Sequence, residues 1–261
     1  MTEEQKSFQR LNEIVFELRE KCPWDRKQTK ESLRHLTIEE TYELADAILK
    51  GDYEEIKVEL GDLMLHLLFY ASLAQDKGKF NIHEVLESQI EKLIRRHPHV
   101  YGDMVGASEE QIKKNWEAIK AQERAESGKE HFQSVLDGVP DSMPSLIKAH
   151  RMQEKAAQMG FDWTDIDQVM DKVREELEEF AKAESPAERA DEMGDILFSL
   201  VNYCRHAGIN AEDALAQTNQ KFKDRFQFME KKVKASELHL PDLSLEEMDK
   251  FWEEAKKALK A

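Results

Sequence analysis

Cysteine is almost absent from this chain. Cys22 and Cys204 are the only two, far apart and without a Cys-x-x-Cys pairing. That excludes a disulfide framework and a thiolate metal site, and it fits a reducing compartment. Glycine and proline are also scarce, 10 and 6 in 261 residues, which leaves few of the turns an all-β chain needs. No stretch approaches the ~18 consecutive apolar residues of a membrane helix, and Met1 to Arg10 is polar, without the apolar core of a signal peptide. Cytoplasm is the expected location, with no membrane partner. Positive charge is in deficit as well: 38 basic against 54 acidic residues give a net charge of −16. Such a field repels polyphosphate backbones, so nucleic acid is excluded as a partner and a cation suits the chain better.

What the sequence does hold is helix. Apolar residues, 40% of the chain, recur at spacings of three and four between Glu, Lys and Gln, which predicts an all-α fold with almost no strand. A first helix is expected over Gln5 to Lys21, a second over Thr37 to Lys50 ending at Gly51, and a third begun by Asp52 as its cap. The third is apolar nearly all round from Ile56 to Ala71, which predicts a central position. A fourth follows Asn81, and another covers Glu109 to Ala125. Gly128, Gly138, Pro140 and Pro144 mark a connector, so the expected domains are 1–127 and 146–261, joined by 128–145.

The two halves repeat each other. Glu39-Glu40-Thr41-Tyr42-Glu43 and Glu59-Leu60-Gly61-Asp62 are matched by Glu175-Glu176-Leu177-Glu178-Glu179 and Glu192-Met193-Gly194-Asp195. A long apolar helix follows each. Next comes Lys-x-x-x-Arg, at Lys92 and Arg96 and at Lys221 and Arg225. Trp-x-x-x-Lys closes each half, at Trp116 with Lys120 and at Trp252 with Lys256.

On a helix, residues three apart share a face, so Glu40 with Glu43 and Glu59 with Asp62 each present two carboxylates together. Glu176, Glu179, Glu192 and Asp195 repeat this. Packing two such helices gathers four carboxylates against apolar neighbours, an arrangement that a bound divalent cation compensates. All-oxygen ligation favours a hard ion, Mg²⁺ or Mn²⁺ in its place. A single such pair in so acidic a chain is more often a solvated helix face; duplication reverses the odds. Gly61 and Gly194, costly inside helices, point to close backbone approach. His66 has Ser199 as its counterpart and reads as a core histidine. The basic pairs suggest phosphate clamping and the Trp residues base stacking. Together they suggest hydrolysis of a polyphosphate, with Glu175 or Glu39 available to take a proton from water.

Those clusters, with Cys22-Pro23-Trp24-Asp25, Arg95-Arg96-His97-Pro98-His99-Val100 and Gly160-Phe161-Asp162-Trp163, resemble the MazG nucleoside triphosphate pyrophosphohydrolases over essentially the whole chain. The resemblance implies two tandem MazG-type helical-bundle domains, a homodimer, and Mg²⁺-dependent hydrolysis of nucleoside triphosphates, ATP among them, with broad specificity in nucleotide-pool housecleaning. It places metal ligands at Glu176, Glu179, Glu192 and Asp195, and nucleotide contacts at Lys172, Glu175, Glu176, Arg189, Lys221, Arg225, Trp252 and Lys256. Glu175 and Glu176 carry the catalytic role. The second half is the favoured active domain, and Glu40, Glu43, Glu59 and Asp62 form a candidate metal site in the first. Two alternatives stand against this reading: a ferritin-like di-metal bundle, which needs a Glu-x-x-His that neither half supplies, and a non-catalytic helical metal-binding or interaction module.

Overall fold

A computed structural model describes residues 1–259 apart from 103–105, 107, 109, 110, 113, 114, 117, 120, 121 and 124–133. Among the described residues the structure is helical with no strand. The chain divides into two compact units, Met1–Ser127 and Gly128–Ala261.

In the first unit, α1 (Glu3–Lys21), α2 (Lys30–Lys50), α3 (Tyr53–Asp76), α4 (Ile82–Arg96) and the short α5 (Pro98–Tyr101) follow in order. Helix α2 begins seven residues ahead of its expected start. Thr29 and Ser32 form a reciprocal capping box there, which satisfies the free amide groups of the first turn before the apolar pattern becomes regular. Gly51 ends α2 in the left-handed region at φ 68°, and the Asp52 side chain accepts from the amides of Glu54 and Glu55 to start α3. So short a turn makes α2 and α3 antiparallel neighbours. Val15, Leu33, Leu68 and Phe69 are the buried centre, with Leu36, Leu65 and Tyr70 packed around them. The Thr37 hydroxyl, 2.8 Å from that of Tyr70, ties the two helices together.

Helix α3 packs on α1, α2 and α4, as its apolar content predicts, but it is not enclosed on all sides. Leu60, Met64 and Leu67 form a stripe that is 53%, 39% and 56% exposed. The helix expected over Glu109–Ala125 falls largely outside the described residues, and so does Lys120; Trp116 is described.

The second unit contains α6 (Ser145–Gln158), α7 (Ile166–Lys182), α8 (Pro186–His206), α9 (Ala211–Ala235) and α10 (Leu245–Ala258). Residues 134–144, read from sequence as connector, hold a 3₁₀ turn at Val135–Gly138. The buried Lys155 donates to the Val135 carbonyl at 3.0 Å. Ser185 caps α8 with Glu188, and Pro186 takes the first helical position, where a missing amide costs nothing. Helices α7 and α8 pack as a pair, matching α2 and α3. Val169, Val173, Ile196, Val201, Met229, Val233 and Ala255 are buried.

Candidate active site

Each acidic cluster is built on one helix pair. In the first unit α2 supplies Glu40 and Glu43 and α3 supplies Glu59, with one carboxylate oxygen of each within 4.8 Å of the others. In the second, Glu176 and Glu179 of α7 meet Glu192 of α8 at the same 4.8 Å limit. Three of the four expected acids thus converge in each unit. Asp62 and Asp195 stand outside these groups, yet near enough for their charges to act on them: Asp62 on Glu40 and Glu59, Asp195 on Glu192.

The clusters are electrostatically strained. Burial first, then the charges of Asp62 and Glu43, lifts the Glu40 carboxyl above its ordinary range. Burial followed by Glu43, Glu40 and Asp62 does the same to Glu59, and burial followed by Glu179 and Glu176 does it to Glu192. Glu59 is 7% exposed, and its Oε2 is buried without a hydrogen-bond partner. An orphaned acceptor inside a group of carboxylates fits a hard cation, since oxygen donors alone are offered.

In the second unit Lys172 lies one turn before the acids. Its Nζ is 2.7 Å from Glu176 and 2.9 Å from Glu175, and these two carboxylates hold the ammonium well above its usual pKa. Glu176 is buried and Glu175 exposed. A cavity of about 190 Å³ opens beside them, lined by Trp163, Val169, Lys172, Glu176, Asp195, Phe198, Ser199 and Asn202. Sequence reasoning did not find Phe198 and Asn202. The signal was there for Asn202, a polar residue within an otherwise apolar helical run.

The basic and aromatic candidates lie elsewhere in the second unit. Lys221 is exposed and Arg225 half-buried on α9, and among the described residues neither is in an ion pair. Half-buried Trp252 of α10 faces Phe222 of α9 with ring centroids 5.2 Å apart, and Lys256 pairs with Glu253. Among the described residues, no hydrogen bond, ion pair or ring contact joins these four to the carboxylates. Exposed Arg189 donates from Nε to the Ala183 carbonyl at 3.2 Å, in the turn between α7 and α8.

The first unit differs here. Arg96, with Arg95, holds Glu123, and these hydrogen bonds pull the Glu123 carboxyl down to about 2. Arg96 is therefore committed to an internal acid. Lys92 donates to Gln89 at 3.3 Å. His66 is buried, as its place in the apolar run suggests.

The glycines correct an expectation. Among the described residues, a Cβ placed at Gly61 or Gly194 would meet nothing within 4 Å beyond its own helix, so no neighbouring backbone among them approaches either one closely. Each glycine instead sits beside an exposed apolar stripe. Met193, Leu197 and Leu200, which are 40%, 50% and 41% exposed, repeat Leu60, Met64 and Leu67 at the same offsets from the cluster.

Comparison with known proteins agrees with the duplicated architecture. Residues 28–101 match the family model of the MazG nucleotide pyrophosphohydrolase domain, and residues 132–222 match that of phosphoribosyl-ATP pyrophosphohydrolase. The chain is 44% identical over 251 residues to the nucleoside triphosphate pyrophosphohydrolase/pyrophosphatase MazG of Thermotoga maritima, covering 95% of each protein. It is 40% identical over 256 residues to the nucleoside triphosphate pyrophosphohydrolase of Escherichia coli K12, covering 95% of this chain and 96% of that one. It is also 44% identical over 255 residues to the uncharacterized protein YabN of Bacillus subtilis, of which it spans 51%.

Proposed function

The chain belongs to the MazG family of nucleoside triphosphate pyrophosphohydrolases, and from that membership we infer that it converts a nucleoside triphosphate and water to the monophosphate and pyrophosphate. The observation that carries this reading is a three-carboxylate cluster beside a cavity that also receives Lys172 and Trp163. A non-catalytic module would have no use for three converging carboxylates, one of them buried, beside a cavity.

The proposal extends to roles and partners. Glu176, Glu179 and Glu192, with Asp195 at the edge, are proposed to hold Mg²⁺, and Glu40, Glu43, Glu59 and Asp62 a corresponding ion in the first unit. A bound divalent ion would offset the charge of the triphosphate and polarise its phosphoryl oxygens. Exposed Glu175, held by Lys172, would accept a proton as water adds to phosphorus and the phosphoanhydride bond breaks. Lys221, Arg225 and Lys256 would hold phosphate oxygens, and Trp252 offers a half-buried ring to the base. Arg189 would join them only by leaving the Ala183 carbonyl. A site that relies on phosphate charge and ring stacking discriminates weakly between bases, which supports broad specificity and a housecleaning role on the nucleotide pool.

Two further readings belong to the same proposal. The matched apolar stripes on α3 and α8 support burial against a second copy of the chain, hence a homodimer. Among the described residues no helix is long and apolar enough to cross a membrane. That, with the acidic charge and the paucity of cysteine, supports a cytoplasmic enzyme acting on free nucleotides rather than nucleic acid.

The test is a product-resolved assay with a nucleoside triphosphate and Mg²⁺. Monophosphate and pyrophosphate are expected, whereas diphosphate and orthophosphate would overturn the reading. Comparing Glu179→Ala with Glu43→Ala in the same assay assigns the active unit: loss is expected from Glu179→Ala.

A further inference from the structure

The two acidic clusters share their geometry but not their counter-charge. Four residues before Glu176, one helical turn, stands Lys172; four residues before Glu40 stands Leu36. Lys172 Nζ is within 2.7 Å of Glu176, a carboxylate only 4% exposed, and it reaches Glu175 at 2.9 Å. The buried acid of the second unit therefore already has a cation. In the first unit, Leu36 packs against the apolar core. Among the described residues no ion pair joins a basic side chain to Glu40, Glu43 or Glu59, and the buried Oε2 of Glu59 has no partner.

We propose that Lys172 serves as a built-in counter-ion, so that in the absence of nucleotide the first unit binds a divalent cation more tightly than the second. The argument is one of competition. A divalent ion entering the second cluster must displace Lys172 or share carboxylates with it, and an ammonium so close opposes its charge. In the first cluster nothing has to leave, and the ion relieves both the orphaned oxygen and the repulsion among three acids. Leu36 cannot take the part of Lys172, because its side chain carries no charge.

The consequence for the enzyme is a division of labour. The first unit keeps a resident ion. The second takes its ion with the nucleotide, whose phosphates supply the negative charge that a displaced Lys172 can then meet. Lys172 is here a positioning residue that sets when the metal binds.

This rests on the metal reading of the two clusters given above, and the test separates the two. The full chain, free of nucleotide, is titrated with Mn²⁺ and the free ion is followed by electron paramagnetic resonance. Two classes of site per chain are expected, separated roughly tenfold or more in affinity. Glu59→Gln should remove the tight class and Glu192→Gln the weak one. Lys172→Leu should strengthen the weak class severalfold or more, and Leu36→Lys should weaken the tight class. If Leu36→Lys fails to fold, Lys172→Leu decides by itself. Two equal classes in the natural protein, or a weak class unmoved by Lys172→Leu, would overturn the proposal and leave the metal reading standing. No Mn²⁺ binding to the natural protein overturns both.

Discussion

His206 Nε2 lies 2.9 Å from Asp162 Oδ1, the same oxygen that the Arg205 guanidinium holds. Asp162 also accepts from the backbone amide of Trp163 at 3.0 Å, and Arg205 donates to Asn202 Oδ1 at 3.0 Å. The end of α8 thus fixes a loop 43 residues away in sequence, together with two residues that line the cavity beside Glu176.

Arg205→Ala is therefore expected to raise KM for a nucleoside triphosphate about three- to tenfold, or about 0.65–1.4 kcal/mol. That is less than the ~1.5–3 kcal/mol of a hydrogen bond to a charged group, because the loop touches the cavity and not the acids. The turnover number and the Mn²⁺ affinity should hold nearly constant, because Arg205 touches none of the clustered carboxylates. Steady-state kinetics beside a metal titration check this. A fall in turnover at unchanged KM would contradict the positioning role.

Glu59→Gln should stabilise the metal-free protein while diminishing the rise in melting temperature expected from Mg²⁺. The Glu59 carboxyl is held above its ordinary range by burial, Glu43, Glu40 and Asp62. A raised folded pKa contributes stability below the ordinary carboxylate value and loses it as pH rises through the folded value, so at neutral pH the charged form is a burden. Melting curves at neutral pH with and without Mg²⁺ give the answer. Equal Mg²⁺ responses in the two proteins would count against a metal at that cluster.

Glu123 carries the opposite sign. Arg96 and Arg95 pull its carboxyl from 4.5 to about 2. The stability it contributes is present above 4.5 and is lost as pH falls toward about 2. Glu123→Gln should cost about 1.5–3 kcal/mol near neutrality and flatten the acid limb over that window. Denaturant melts at several pH values measure it, and parallel acid limbs for the two proteins would refute the pairing.

Leu67→Glu with Leu200→Glu should lower the molecular mass in solution toward one chain, with helix content preserved. Both side chains stand at least 41% exposed on the matched apolar stripes, so neither change disturbs a unit's own core. Sedimentation with circular dichroism tests this, and an unaltered mass would overturn the proposal that these stripes form a dimer interface.

Much of the fold was legible because helices announce themselves locally. The cap at Asp52, the helix start after Asn81 and the stop at Gly51 are short-range chemistry, and each appears in the structure where the sequence puts it. The start of α2 was misjudged because the Thr29 and Ser32 capping box lies upstream of the regular apolar pattern. Glycine misled at Gly61 and Gly194, where close approach was expected and open space was found. A helix that is apolar all round does not declare whether its last face meets its own chain or another, and the exposed stripe of α3 is the result.

By itself, the sequence determined the helical class, the duplication, and the presence of three or four acids per half. Those follow from periodicity and spacing, which act within a helix turn or between copies. Only tertiary packing decided which of the acids converge, that Asp62 and Asp195 stand apart, that Arg96 is committed to Glu123, and that Asp162, Arg205 and Asn202 frame the cavity. Contacts between side chains on different helices depend on how those helices rotate to bury Leu68 or Val201, and no local pattern records that rotation.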